Sequence, residues 1–310
     1  MTEKILVTGA DGLLGHAVRE VCPEAVFLTS RDGDLRDLRI TQNLFEKYRP
    51  DYVLHLAAKV GGVKANREQN ADFFTDNVQI NANVLSAAQH CKVKALISIL
   101  SSCAYRFYSD RSSTEEDLHE GMPFEGNLGY GYAKRMLDIH SRLLGEQYGC
   151  RFATLTPATL YGPHDNFDLG EGHVIGALMH KCLLARQQKK PLEVWGSGKA
   201  VRQFVYVKDA AKLLVNWLEK ISGAENLIMA PDAGISIREL AYQIAAAMDF
   251  KGDIHFDTAQ PEGELVRRLE SKKCSNLFPD FTFTPMNLGL QETAHWFIHD
   301  YKNRLSEKTV

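Results

Sequence analysis

The sequence predicts an α/β protein built on a doubly wound parallel sheet, with a smaller mixed α/β portion beside it. Three observations lead there. Short apolar runs alternate with helix-length stretches through the first half of the chain. Most of those runs are apolar on both faces, as strands covered on each side are. The first run breaks at a cluster of glycines and passes straight into a helical pattern.

In chain order, Lys4-Ile5-Leu6-Val7-Thr8 is a short, mostly β-branched run, after which Leu13, Leu14, Ala17 and Val18 recur at helical spacing. Ala25-Val26-Phe27-Leu28 follows, then a helix from about Ile40 to Tyr48 and the strand Tyr52-Val53-Leu54-His55-Leu56. A long helix from about Phe73 to His90 leads to Ala95-Leu96-Ile97-Ser98-Ile99. A second helix-length stretch, Tyr132 to Tyr148, leads to Phe152-Ala153-Thr154-Leu155-Thr156. Right-handed crossovers between such strands place helices on both faces. Beyond Pro163 the rhythm loosens. Val205-Tyr206-Val207 and Leu227-Ile228-Met229 return as strands, and Ser236-Ile237-Arg238-Glu239 is a capping box before the helix Leu240 to Met248. The expected organisation is a dinucleotide-binding portion over 1–165, with segments returning near 203–230, and a mainly substrate-binding portion over 166–310.

Composition limits the function. The 310 residues carry 36 basic and 39 acidic side chains, a net charge of -3, so no overall field draws the chain to nucleic acid or an anionic membrane. An anionic substrate needs a local basic cluster. No apolar run approaches the roughly 20 residues that span a bilayer, and the N-terminus MTEKILVTGADG enters a strand without a leader pattern, so a cytoplasmic protein is expected. The six cysteines include no CxxC pair, and no metal site is expected.

In Thr8-Gly9-Ala10-Asp11-Gly12-Leu13-Leu14-Gly15, glycines stand where a strand turns tightly into a helix, where backbone approaches a pyrophosphate, and where helix packs on strand. The helix N-terminus offers free amides to the phosphates, as in a Rossmann unit. After the second strand comes Thr29-Ser30-Arg31-Asp32. Ser30 and the Arg31 guanidinium suit a ribose 2′-phosphate, which favours NADP(H) over NAD, while Asp32 and Asp34 nearby weaken the contrast. Tyr130 and Lys134 are four residues apart and so share a helix face. An ammonium there is expected to lower the phenol's pKa from about 10 toward neutrality, for proton transfer to a carbonyl oxygen. With Ser101-Ser102 after the strand Leu96 to Leu100, they make the serine, tyrosine and lysine set of the short-chain dehydrogenases.

The residues His55-Leu56-Ala57-Ala58-Lys59-Val60-Gly61-Gly62, Ser101-Ser102-Cys103, Tyr161-Gly162-Pro163-His164-Asp165-Asn166-Phe167, Gly172-His173-Val174-Ile175 and Val194-Trp195-Gly196-Ser197-Gly198 extend the likeness. Together with Tyr130 and Lys134, they make the chain resemble, over nearly its whole length, the GDP-L-fucose synthase family. That family is the extended short-chain dehydrogenase/reductase that epimerises and reduces GDP-4-keto-6-deoxy-D-mannose. The resemblance implies that Cys103 is the epimerisation base and His173 the opposing acid, with NADPH reducing C4 while Tyr130 protonates the oxygen that Ser101 holds. Further candidates for cofactor contact are Asp11, Asp34, Leu35, Leu56, Ala57, Ala58, Pro157 and His173. By the same resemblance Lys181, Arg202 and Arg267 or Arg268 would hold the substrate's pyrophosphate, and Trp195 would pack on sugar or base. His164 reads as a residue that fixes its loop. The two long helices resemble the pair that forms a homodimer interface in the family.

Some positions depart from the family pattern. Pro157-Ala158-Thr159 stands where Pro-Thr-Asn is common, Tyr105-Arg106 where a proline often follows the tyrosine, and Asp11 where some relatives have an arginine. The segment after Pro261 also lacks the usual lysine. Two other readings therefore stand beside the first: a C4-reductase of another GDP-4-keto sugar, such as a heptose or dideoxy sugar, and a non-catalytic nucleotide-binding regulator.

Overall fold

A computed structural model describes residues 3–260 and 265–301. Its centre is a six-stranded parallel sheet made of β1 (Ile5–Thr8), β2 (Val26–Leu28), β3 (Tyr52–His55), β4 (Ala95–Ile99), β5 (Phe152–Pro157) and, from far along the chain, β10 (Asn226–Met229). The order across the sheet is β10-β5-β4-β3-β1-β2. The helices that cover it include α1 (Leu13–Val21), α2 (Leu38–Tyr48), α4 (Asn70–His90), α5 (Leu128–Tyr148) and α7 (Val207–Leu218), with the short α3 (Val63–Glu68) before α4. α4 packs along α5, and α1 along α7. β3, β5 and β10 are buried at every residue, which explains their mostly apolar character on both faces.

A second group of elements sits beside this sheet. It contains β6 (Thr159–Tyr161), α6 (Val174–Gln188), β7 (Leu192–Trp195), β8 (Val201–Arg202), β9 (Phe204–Tyr206), β11 (Ile235–Ser236), α8 (Ile237–Ala247), β12 (Ile254–Asp257) and α10 (Met286–Trp296), while α9 (Lys272–Leu277) packs on β10 of the main sheet. The strands pair in twos, β6 with β9, β7 with β12 and β8 with β11. Two apolar clusters result: one is built around the six-stranded sheet and the helices on both its faces and takes in Val205, Trp217 and Leu269, and the other joins Phe167, Met179, Phe204, Ile244 and Phe297.

Several boundaries differ from expectation. The helix carrying Lys134 begins at Leu128, so Tyr130 lies inside it and not before it. The run Val205 to Val207 is strand only as far as Tyr206, and Val207 is the first residue of α7, whose first turn carries Asp209. β6, β7, β8, β11 and β12 lie outside the expected strands, because pieces of two to four residues give too short a pattern to separate from loop. The capping box does form: the Ser236 hydroxyl oxygen accepts from the Glu239 amide, and the Glu239 carboxylate from the Ser236 amide.

One buried polar chain ties the sheet to α5. The Asn81 side-chain oxygen accepts from His55 Nε2 at 3.1 Å, while the Asn81 amide reaches the Ala133 carbonyl at 3.5 Å. Nε2 therefore carries the proton, and His55 Nδ1 accepts from the Thr8 hydroxyl at 2.9 Å. Burial, helped by the charge on Lys134, pushes the His55 pKa down to about 3. The unfolded chain then takes up a proton below its ordinary pKa near 6.5 that the folded protein refuses. Stability attached to His55 is complete above that value and drains away as pH falls toward 3, by about 1.4 kcal/mol per pH unit. Urea unfolding midpoints at pH 7.5 and pH 5 are expected to differ more in the parent than in His55→Asn.

Candidate active site

The turn between β1 and α1 is shaped by what a side chain would strike. Gly9 has φ +72, and a Cβ there would lie 2.6 Å from the Ala57 amide nitrogen, so the turn and the segment after β3 touch backbone to backbone. A Cβ on Gly15 would lie 2.6 Å from the Ala10 Cα, which is why the helix can seat directly on its own turn. Gly12 is the N-cap, makes no side-chain cap, and a Cβ there would meet only the Gly9 carbonyl, at 3.4 Å. An open helix start over a side-chain-free floor fits the pyrophosphate of a dinucleotide. Asp11 is exposed and Leu13 partly buried, whereas the Leu14 side chain is packed into the core, leaving only its main chain to contribute. Leu35 and Leu56 also pack against the main cluster, Ala57 and Ala58 are half-buried, and Pro157 ends β5 beside Met229.

At the end of β2, Ser30 and Arg31 are exposed. The two neighbouring carboxylates are already engaged. Asp32 accepts from the Thr29 amide at 2.8 Å and the Thr29 hydroxyl at 2.9 Å, and those bonds hold its pKa below the usual range. Asp34 holds Arg36 at 2.7 Å, and Arg36 reaches on to Asp76, which also binds Lys59 at 2.8 Å. Sequence reading missed this Asp34-Arg36-Asp76-Lys59 chain, since Asp76 is brought to Arg36 only by the fold.

The serine, thiol and phenol come together where β4 meets α5. Beyond β4 the backbone makes one tight turn at Ser102–Ala104, and the Ser101 hydroxyl oxygen accepts from the Cys103 amide at 3.2 Å. The Lys134 ammonium lies 5.5 Å from the centre of the Tyr130 ring and donates to the Ile99 carbonyl at 2.7 Å. The expected direction of the phenol's shift is corrected here. In the protein alone Tyr130 is pushed up, first by burial and then by the nearby Cys103, and Lys134 is pushed down to about 8 by burial. Desolvation penalises both charged forms, the phenolate and the ammonium.

His173 caps α6 with its side chain 58% exposed, and Nδ1 stands 3.5 Å from the buried Asp165 carboxylate, which raises its pKa. Asp168 holds its loop by accepting from the Gly170 and Glu171 amides at 2.8 Å. Gly62 of the segment after β3 fits against Glu171, where a Cβ would sit 3.3 Å from its Cα. Neither the half-buried Cys103 nor the exposed His173 is turned into the packed interior.

Among the expected substrate contacts, Trp195 on β7 is 53% exposed and so is no core residue, and the Lys181 ammonium lies 4.3 Å from its ring centre. Arg202 on β8 is half-buried, and its neighbour Val201 pairs with the segment carrying Arg267 through Val201 N to Leu265 O at 2.7 Å. The Arg267 guanidinium stacks 4.1 Å from the Phe124 ring, while Arg268 is exposed. The missed residue here is Gln203, whose buried amide donates to Pro231 O and Leu269 O and accepts from Leu269 N, holding the Arg267 segment in place. His164 stacks flat on His16 at 3.8 Å, a packing role. Pro261 to Glu264 lie outside the described residues.

With this geometry in hand, comparison with known proteins is decisive. The model of the NAD dependent epimerase/dehydratase family matches residues 5–229. The chain is 39% identical to GDP-L-fucose synthase of Dictyostelium discoideum, over 96% of both chains. The chain belongs to the GDP-L-fucose synthase family. Within that family, the NADP-bound GDP-L-fucose synthetase structure from Naegleria fowleri is 40% identical, with a TM-score of 0.91, covering 97% of this chain and 94% of that one. A GDP-6-OMe-4-keto-L-xylo-heptose reductase from C. jejuni is similar at 25% identity and a TM-score of 0.86, covering 97% and 98%. Among the described residues no helix is long and apolar enough to cross a membrane.

Proposed function

We propose that the protein is an NADP(H)-dependent enzyme that converts GDP-4-keto-6-deoxy-D-mannose to GDP-L-fucose, by epimerisation at C3 and C5 and reduction at C4. The observation that carries this is one cluster, at the junction of β4 and α5, holding Ser101, Cys103, Tyr130 and Lys134. A full-length likeness to an NADP-bound fucose synthetase supports the same reading.

The C3 and C5 protons are acidic because the C4 ketone takes up the resulting charge as an enolate. Cys103 removes a proton from one face, and His173, kept protonated to higher pH by Asp165, returns one on the other. When bound, NADPH supplies the hydride for C4. Ser101 holds the C4 oxygen, and Tyr130, which burial keeps protonated, gives it a proton. Lys134 keeps the phenol's surroundings positive below about pH 8. Lys181, Arg202 and Arg267 bind the pyrophosphate, and Trp195 offers a flat apolar face. Residues 1–165, with the returning segments near 203–230, form the cofactor portion, and 166–310 mainly the substrate portion.

The test is incubation with NADPH and a panel of GDP-4-keto sugars in D2O, with NMR of the products. Deuterium at both C3 and C5 of a fucose product is expected. The likeness to the heptose reductase favours a second reading, C4 reduction of another GDP-4-keto sugar, which a reduced product with unlabelled C3 and C5 would establish instead. Arg31→Ala removes a charge-assisted contact to the 2′-phosphate, and the KM for NADPH is expected to rise about tenfold or more while that for NADH stays within a factor of two. Equal KM changes for the two cofactors would remove Arg31 from the site.

The protein also forms a homodimer through α4 and α5. Tyr132, Met136, Ile139 and Leu143 are exposed apolar residues at helical spacing along α5, and Phe74 is exposed on α4. Ile139→Glu is expected to give a monomer by light scattering. A parent protein that elutes as a monomer would remove this part of the reading.

A further inference from the structure

We propose that Gly131 and Arg135 are positioning residues for the Cys103 thiol, so that α5 serves two chemistries from two adjacent ridges. Tyr130 and Lys134 lie one turn apart on the reducing ridge. Gly131 and Arg135 lie one turn apart on the next, and they grip the turn that carries Cys103. The proposal rests on reading Cys103 as the base for epimerisation.

The grip is close. A Cβ on Gly131 would lie 2.9 Å from the Cys103 carbonyl oxygen and 2.7 Å from the Pro123 Cβ, so the helix backbone itself abuts the turn. One helical turn on, Arg135 is 5% exposed. Its Nε donates to the Ala104 carbonyl at 2.7 Å, Nη1 to the Gly121 carbonyl at 2.7 Å, and Nη2 to the Glu120 carbonyl at 3.1 Å. One guanidinium therefore ties both ends of the loop between β4 and α5 to the helix. The Phe124 amide closes the same loop by donating to the Cys103 carbonyl at 3.3 Å.

These bonds run to main-chain carbonyls. A buried guanidinium is costly to desolvate, and an apolar side chain of the same volume would hold two elements together at least as well. What the apolar side chain lacks is direction: three forked donors define where Ala104, and with it the preceding residue Cys103, must sit. Proton abstraction is sensitive to that placement, since a displacement of about 1 Å can cost roughly a hundredfold in rate. Tyr130 and Lys134 depend on it less, because they are fixed by α5 itself and by the Lys134 bond to Ile99.

The test uses Arg135→Met, Arg135→Lys and Gly131→Ala in the full chain. The first readout needs no substrate: the pH profile of Cys103 alkylation by iodoacetamide, followed by peptide mass spectrometry, with the partly exposed Cys91 and Cys150 as internal controls. The second compares solvent deuterium uptake at C3 and C5 with NADPH oxidation. Arg135→Met and Gly131→Ala are expected to change the Cys103 alkylation profile while leaving Cys91 and Cys150 alone. Both are expected to lower deuterium uptake about tenfold or more, with a much smaller loss of NADPH oxidation, and Arg135→Lys is expected to recover part of the difference. An unchanged Cys103 profile, or both activities falling by one common factor, overturns the proposal. If Arg135→Met does not fold, Gly131→Ala and Arg135→Lys decide it by the same readouts. Should the parent show no deuterium uptake at all, the epimerase reading fails, while the alkylation profile still tells whether the two residues place the thiol.

Discussion

Tyr130→Phe is expected to lower NADPH oxidation by about a thousandfold while leaving the melting temperature nearly unchanged. The substitution removes one hydroxyl and keeps the ring, so the contact between the Lys134 ammonium and the ring face survives. What disappears is the hydroxyl that we propose gives the C4 oxygen its proton. Because burial raises the phenol's pKa, Tyr130 stays protonated across the working range, and the group that titrates near neutrality is Lys134, pushed down to about 8. The sign follows: the ammonium is present below about pH 8 and lost above it, so reduction by the parent is expected to decline on the alkaline side. A stopped-flow measurement of NADPH absorbance against pH checks both statements. A Tyr130→Phe protein that keeps the parental rate would remove Tyr130 from the proton-donor role, whereas a parent protein that turns over no GDP-4-keto sugar would favour the binding-only regulator.

The second large effect belongs to Cys103→Ser. Thiols ordinarily titrate near 8.5, so a working fraction of thiolate exists around neutral pH, whereas a serine hydroxyl offers almost none. Solvent deuterium uptake at C3 and C5 is expected to fall by about a thousandfold. The shapes are alike, and Ser101 still has the neighbouring amide to hold, so the reducing half is expected to persist. NMR of the sugar after incubation in D2O with NADPH separates the two activities within one sample. Parental deuterium uptake by Cys103→Ser would transfer the base role elsewhere.

Much of the architecture could be read from local pattern. Buried strands declare themselves as short runs that are apolar on both faces, and the glycines at 9, 12 and 15 declare a strand turning into a helix, because those signals act over a few neighbouring residues. The Tyr130 and Lys134 pair is legible for the same reason: four residues are one helical turn. Legibility failed in short elements, such as the four-residue β7, and where Val207 continues an apolar run but opens α7. It failed again for charges that meet across the fold. Asp76 is far from Arg36 in sequence, and nothing local marks the two as partners.

The chain's own order of residues thus determined the sheet, the glycine turn, the Tyr130 and Lys134 spacing and, through motifs such as Ser101-Ser102-Cys103, the family. Only the folded arrangement decided which way the Tyr130 phenol shifts, that Asp32 and Asp34 are engaged by Thr29 and Arg36, that Trp195 faces solvent, and that Arg135 grips the Cys103 turn. The physical reason is range: helical period and turn chemistry act between near neighbours, whereas desolvation and charge pairing depend on every group that packing brings close.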